Sequence, residues 1–287
     1  MIRYTAGSSG VEDLIKGDMQ FAVLASGSKA NCTVVQSAAG NFLIDCGLSA
    51  RETVRRLEGV GVDPSSLFGV FLTHEHRDHT AGIRVFCKKF KIPVYANAGT
   101  AAALDAFGTL DGLSTQIFKT GHALNFGELS IQPFAISHDA AEPVGFDVRY
   151  NHSKLVYVTD LGKVTTLVRS VCQDCNALIL EFNHDEKLLW GCDYPWNLKQ
   201  RIASNHGHLS NANAVALVSE VFHEGLKHLV LGHISENSNT HATVRSALAA
   251  EIDLSLLETC LCASPYHPTA LITVSGDERV LSLAASL

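Results

Sequence analysis

Residues 69–82 read GVFLTHEHRDHTAG, and this stretch decides the fold. Gly69 to Thr73 is an apolar run of strand length, and it passes directly into His74, Glu75, His76, Arg77, Asp78 and His79. In an extended chain, residues two apart face the same way, so His74 and His76 point to one side. A helix is predicted from about Thr80 to Phe90, and if the chain already turns into a helix at Asp78, then Asp78 and His79 swing toward the same space from a second direction. Histidines at strand edges are commonly solvated or packed. Three of them with an aspartate in six residues, straight after an apolar strand, instead form a metal-ligand pattern.

Working outward, three more candidate ligands stand where predicted strands stop. His138 follows the alternating segment Leu129 to Ile136, Asp160 follows Lys154 to Thr159, and His233 follows Leu229 to Leu231. A divalent ion takes roughly four to six nitrogen or oxygen donors, so seven candidates exceed the needs of one ion. A carboxylate such as Asp160 can bridge two cations through its two oxygens, which predicts a dinuclear centre. His/Asp donor sets accept Zn, Mn or Fe.

Further strands are predicted at Phe21 to Leu24, Thr33 to Val35, Asn41 to Ile44, Ile92 to Ala96 and Ala177 to Leu180, the last ending at Glu181. Leu271 to Val274 and Val280 to Leu283 flank a turn, and helices are expected after Ser49, Thr100 and Asn211. Strand-rich halves with interspersed helices and no internal repeat predict a layered α/β sandwich.

Composition narrows the function classes. The 287 residues are 46% hydrophobic and 18% charged, which excludes whole-chain disorder. Acidic residues outnumber basic ones 29 to 22, for a net charge of −7. A protein-wide positive field for nucleic acid is therefore excluded, and any phosphate grip must be local. No apolar run approaches the ~18 residues of a membrane span, and no export leader is visible, so a cytoplasmic protein without membrane association is expected. Residues 1–18 are polar and Gly/Ser-rich, which predicts a poorly ordered N-terminal extension before a domain over 19–287. The eight cysteines are expected as free thiols. Cys172 and Cys175 form a CxxC without a second pair, which reads as helix packing, and Cys260 and Cys262 are expected to be buried.

The pattern HxHxDH followed by separated His, Asp and His resembles the metallo-β-lactamase superfamily. The strings LASGSKAN, THEHRDHTAG, ISHDAAEPVGF, TDLG, EFNHD, YPWNLKQRI, GHLSNANA and LGHISENSN are similar, in order, to its YycJ/WalJ branch. The resemblance implies an αββα four-layer sandwich (metallo-β-lactamase fold) and a metal-dependent hydrolase, with DNA exonuclease activity from the 5′ end. It implies that His74, His76 and His138 hold one metal, that Asp78, His79 and His233 hold the other, and that Asp160 bridges them. β-Lactamases of this fold usually carry cysteine at the Asp160 position, which disfavours that activity. The branch starts near LASGS, so nothing functional is carried onto residues 1–18.

His208, in GHLSN, stands just before a predicted helix N-terminus, where backbone N–H groups favour a phosphate. It resembles the histidine that protonates the leaving oxygen in ribonuclease Z and cyclic phosphodiesterase relatives, and Glu181 resembles the glutamate orienting it. Asp78 is expected both to bind metal and to steer the attacking water. Asp45, in LIDCG, either supports a metal-bound imidazole or serves as a turn residue near the cap Ser49. Candidate substrate contacts are Ser26, Ser28 and Asn31 in SGSKAN, with His184, Lys199 and Arg201; the Lys88, Lys89 and Lys91 cluster reads mainly as a solvated face.

The residues alone support a phosphodiesterase; DNA rests on the resemblance. Two rivals stay open. One is an ester or thioester hydrolase of the same fold, of the lactonase or glyoxalase II kind. The other is a catalytically silent metal-binding protein with a regulatory role.

Overall fold

The computed structural model describes residues 18–276. All but the last residue of the expected N-terminal extension, and the expected strand Val280 to Leu283, lie outside them. Among the described residues, two seven-stranded sheets carry the fold. The first is built from β1 (Met19–Ala25), β2 (Cys32–Ser37), β3 (Gly40–Ile44), β4 (Leu67–Phe71), β5 (Val94–Asn97) and β6 (Thr115–Phe118) in sequential order, with the late β14 (Ile272–Val274) added beside β1. The second runs from β7 (Leu124–Phe126) through β8 (Leu129–Ala135), β9 (Val144–Tyr150), β10 (Ser153–Val158), β11 (Ala177–Glu181) and β12 (His228–Gly232) to the edge strand β13 (Thr259–Cys262).

Strand periodicity builds the layers. In β1, Phe21 and Val23 enter the core between the sheets, whereas Ala22 and Leu24 enter the core on the outer face. In β10, Leu155 and Tyr157 face the other sheet, whereas Val156 and Val158 face outward. Both faces of each sheet are thus apolar, and each outer face needs helices to keep it from water. The first sheet is covered by α1 (Ala50–Gly59), α3 (Ile83–Phe90) and α4 (Ala98–Asp105), through Leu57, Phe86 and Leu104. The second is covered by α5 (Thr166–Cys172), α8 (Asn211–Val221) and α9 (His241–Ala249), through Val168, Leu217 and Leu248. The result is the expected αββα sandwich.

Two local expectations are corrected, and one stretch holds helices that the sequence reading did not name. The helix predicted from Thr80 to Phe90 is two helices, the single turn α2 (Arg77–Thr80) and α3, separated at Ala81 and Gly82. Gly82 is needed there, because a Cβ would lie 2.0 Å from the Leu48 carbonyl oxygen. Cys260 and Cys262 are only half-buried, since β13 is an edge strand. Two short helices, α6 (Glu186–Gly191) and α7 (Trp196–Ile202), interrupt the chain between Glu181 and His208. Cys172 and Cys175 are buried free thiols beneath the second sheet's helices, as expected.

Candidate metal centre

Strand direction gathers the site. β3 and β4 are parallel, as are β10, β11 and β12, and β8 points the same way as β10 because β9 is antiparallel to both. The segments that follow β3, β4, β8, β10, β11 and β12 therefore meet, and they carry Asp45, His74 to His79, His138, Asp160, Glu181 and His233. Asp45, Asp160 and His233 leave their strands in the left-handed region, at φ of 59°, 56° and 49°. Such a conformation is costly for these residue types and clusters at functional sites, and here it turns each side chain sharply into the common space.

Seven sequence-predicted ligands converge. His74 Nε2 lies 3.0 Å from His76 Nδ1, which lies 3.3 Å from His138 Nε2. His79 Nε2 lies 3.2 Å from Asp160 Oδ2 and 3.4 Å from Asp78 Oδ2, while His233 Nε2 lies 3.5 Å from Asp160 Oδ1 and 3.7 Å from Asp78 Oδ2. One set of donors within 4.8 Å of one another is His74, His76 and His138, a second is Asp78, His79 and His233, and a third joins Asp160 to His74 and His79.

Neighbours fix which nitrogen of each ring faces inward. His79 Nδ1 sits 2.8 Å from Asp45 Oδ2, His233 Nδ1 sits 2.8 Å from Glu181 Oε1, and His138 Nδ1 sits 3.0 Å from the Gly207 carbonyl oxygen. Each acceptor holds a proton on Nδ1 and turns the Nε2 lone pair toward the cluster, the arrangement a metal-binding imidazole requires. Burial lowers the pKa of His138, and lowers that of His74 more strongly, helped by the neighbouring His79. For His233 burial opposes protonation, but Asp160, Asp78 and Glu181 outweigh it and push its pKa up to about 10. Asp160, Asp78 and Asp45 likewise raise that of His79 against its burial. Asp160 Oδ2 and His233 Nε2 are buried without a hydrogen-bond partner among the described residues. A carboxylate oxygen and an imidazole nitrogen buried without partners are costly unless a cation is shared between them, so the donor set fits divalent metal.

The support around these ligands is only partly what the sequence predicted. Asp45 accepts from the Thr73 backbone N–H and hydroxyl as well as facing His79, so of its two open readings the supporting one matches its contacts. Glu181 does more than face His208. Its Oε1 lies 2.8 Å from both His208 Nδ1 and His233 Nδ1, and its Oε2 accepts from Leu161 N and Leu209 N. Burial opposes its ionisation, yet the His208 charge and the hydrogen bonds from His208 and His233 hold its pKa at about 2. His208 stands at the rim, its ring stacked on His233 at 5.1 Å and 20% exposed, and α8 begins three residues later.

The expected substrate contacts are mostly corrected. Ser26 is buried, its hydroxyl accepting from His233 N, and Asn31 is fully buried, donating to Asp78 Oδ2 and bracing the loop through Gly27. Both are scaffold, and of that trio Ser28 alone is exposed. Lys199 is buried with its amine on the Trp190 carbonyl, tying α7 to α6, and His184 is buried beneath the rim, where burial lowers its pKa to about 4. Arg201 is exposed and paired with Asp139, the residue after His138. Ser26 and Asn31 sit in a stretch that reads equally as a tight turn or a phosphate loop, so their bracing role carries no separate signal.

Comparison with known proteins agrees with this arrangement. A profile of the beta-lactamase superfamily domain matches residues 40–234. The exodeoxyribonuclease YycJ of Bacillus anthracis is 34% identical over 236 residues, covering 82% of this chain and 89% of that protein. The exodeoxyribonuclease WalJ of Streptococcus pneumoniae is 32% identical over 237 residues, covering 80% of this chain and 88% of that protein. The crystal structure of the metallo-beta-lactamase fold protein YhfI from Bacillus subtilis superposes with a TM-score of 0.69 over 90% of this chain and 100% of its own, at 17% identity. The chain belongs to the metallo-β-lactamase superfamily, among its YycJ/WalJ-like members.

Proposed function

We propose that the protein is a dinuclear metal-dependent phosphodiesterase that degrades DNA from the 5′ end. The observation that carries the phosphodiester reading is the Glu181–His208 pair: an imidazole at the rim, outside the seven ligands, held at 2.8 Å by a buried carboxylate. The names of the YycJ and WalJ relatives support DNA as the substrate.

In this reading His74, His76 and His138 would hold one ion and Asp78, His79 and His233 the other, with Asp160 as a ligand common to the two sets. Bound there, divalent ions such as Zn, Mn or Fe supply Lewis acidity, which polarises a phosphoryl oxygen and makes water more acidic. Asp78, held by Asn31, accepts a hydrogen bond from the attacking water and aims it. His208 keeps Nδ1–H on Glu181 and carries the transferable proton on Nε2, which it gives to the departing oxygen. Ionised Glu181 steadies the charge that His208 bears before that transfer. A lactonase or thioesterase would use the same ligands without needing this donor.

The test compares 5′- and 3′-end-labelled linear duplexes with closed circles, on protein whose metal content is measured. Metal-dependent release from the 5′ end and about two metal equivalents per chain are expected. Release from the 3′ end alone, circles cut as fast as linear DNA, or one equivalent at saturation with Asp160→Ala unchanged would count against it. Preferential turnover of a lactone or a glutathione thioester over bis-p-nitrophenyl phosphate would favour the ester hydrolase.

A further inference from the structure

Beside the metal centre, a cavity of about 520 Å³ opens outward from His76 and is lined by Glu75, Arg77, Arg84 and Phe107. Arg77 opens α2 and Arg84 lies in the first turn of α3; both are exposed, and neither has an ion-pair or hydrogen-bond partner among the described residues. In a chain of net charge −7, two unpaired guanidinium groups next to a candidate metal ligand are a local cationic patch. Glu75, whose carboxylate accepts from Ala141 N, sets one negative charge against the two guanidinium groups and leaves the lining of this cavity with a positive excess.

Phe107 is 87% exposed. Its backbone N–H donates to Leu104 O, Gly108 N to Asp105 O and Thr109 N to Leu104 O, so a hydrogen-bonded turn after α4 holds the backbone that presents the ring to water. Exposing a phenylalanine forfeits the benefit of burying it. Lys88 lies one turn beyond Arg84 on the same exposed face of α3 and continues the positive stripe along that helix.

We infer that this groove holds a single strand of nucleic acid running outward from the metal centre, with Arg77 and Arg84 on its phosphates and an unpaired base stacked on Phe107. The inference rests on the phosphodiesterase reading and adds to it the form of the substrate. Guanidinium groups bind phosphate in a bidentate fork, and any base can stack on an aromatic face without a sequence requirement. A duplex would keep its bases stacked on each other and leave Phe107 unused.

Binding is tested by fluorescence anisotropy of a labelled single-stranded oligonucleotide in EDTA, which separates binding from cutting. Phe107→Ala should weaken binding about five- to hundredfold. Arg84→Ala should reduce the slope of log affinity against log salt by about 0.7. Lys227→Ala removes the same charge at the opposite end of the sheets, before β12, and should bind as the parent does. Hydrolysis of bis-p-nitrophenyl phosphate, which has no strand to hold, should fall far less than oligonucleotide binding in Phe107→Ala. Thermal melting of each variant excludes misfolding. If the parent digests oligonucleotides but Phe107→Ala and Arg84→Ala bind like the parent, the groove is overturned and the nuclease reading stands. A parent that binds no oligonucleotide yet turns over lactones or thioesters overturns both.

Discussion

His208 is where chemistry and metal binding separate at the level of one residue. Its imidazole is oriented by Glu181, stacks on His233 and lies beside His138 and Asp160, with its Nδ1 3.8 Å from Asp160 Oδ1 but committed to Glu181 at 2.8 Å. His208→Ala should therefore keep its metals and lose roughly 10²- to 10⁴-fold in rate on a substrate with an alkoxide leaving group. On p-nitrophenyl esters, whose leaving group needs no proton, the loss should be small. Equal losses on both substrates, or loss of metal, would make His208 a ligand or a binding residue. Glu181→Gln tests a different point, because Glu181 Oε1 faces His208 and His233 together. That variant should show the leaving-group pattern and also weaker metal binding, read by competition with a chromogenic chelator. The seven donors were readable in the sequence because imidazoles and carboxylates stood where apolar strands stop. Glu181's second contact was not, since a residue's partners across 52 positions leave no local pattern.

At the scale of elements, the site depends on three loops tied by their backbones. Asn31 N donates to Asp78 O, Gly47 N to Asn31 O and Cys46 N to His79 O, so the loops after β1, β3 and β4 form one unit. Gly47 is the close-approach point: a Cβ there would lie 1.6 Å from Asp78 O. Gly47→Ala is expected to destabilise the fold by about 1–3 kcal/mol through overpacking, and to weaken metal binding by displacing Asp78. Thermal melting and metal titration check both, and a variant that melts and binds metal like the parent would show that the loops are not coupled. The same scale explains what sequence reading missed. β9 does alternate, with Val144, Phe146, Val148 and Tyr150 in the core between the sheets and Asp147 on the other face, paired with Arg149 and Lys154, so its omission from the sequence reading was not forced by the pattern. The short helices α6 and α7 span six and seven residues, too few for a helical period to register.

On the scale of the molecule, the four layers were readable because apolar residues on both faces of each sheet demand helices on both outer surfaces. What hydrophobic pattern cannot express is the charge balance where the two sheets meet. Without metal, that centre is held together by protons. The raised pKa of His233, about 10, means its contribution to stability is complete below its ordinary 6.5 and is lost as pH rises through 10. The upward shift of His79 has the same sign. Asp160 and Glu181 have the opposite sign: burial resists their ionisation, but His233 and His79 for the first, and His208 for the second, lower their pKa values. Their contribution is present above the ordinary carboxylate range and lost as pH falls. Burial lowers the pKa values of His74, His138 and His184, so these cost stability as pH falls below their ordinary 6.5, and the metal-free protein should be most stable near pH 6.5 and weaken both toward acid and toward pH 10. A metal ion takes the place of the protons on His233 and His79, so it binds against them at pH 6 and with less competition at pH 9. Loading with Zn or Mn should consequently raise Tm by more at pH 9 than at pH 6, since stabilisation by a ligand grows with its affinity for the folded state. Calorimetry at pH 7 in two buffers of different ionisation enthalpy should also detect proton release on metal uptake. An increment in Tm that stays constant from pH 6 to pH 9, with no proton released, would mean that His233 and His79 are not where the metal binds.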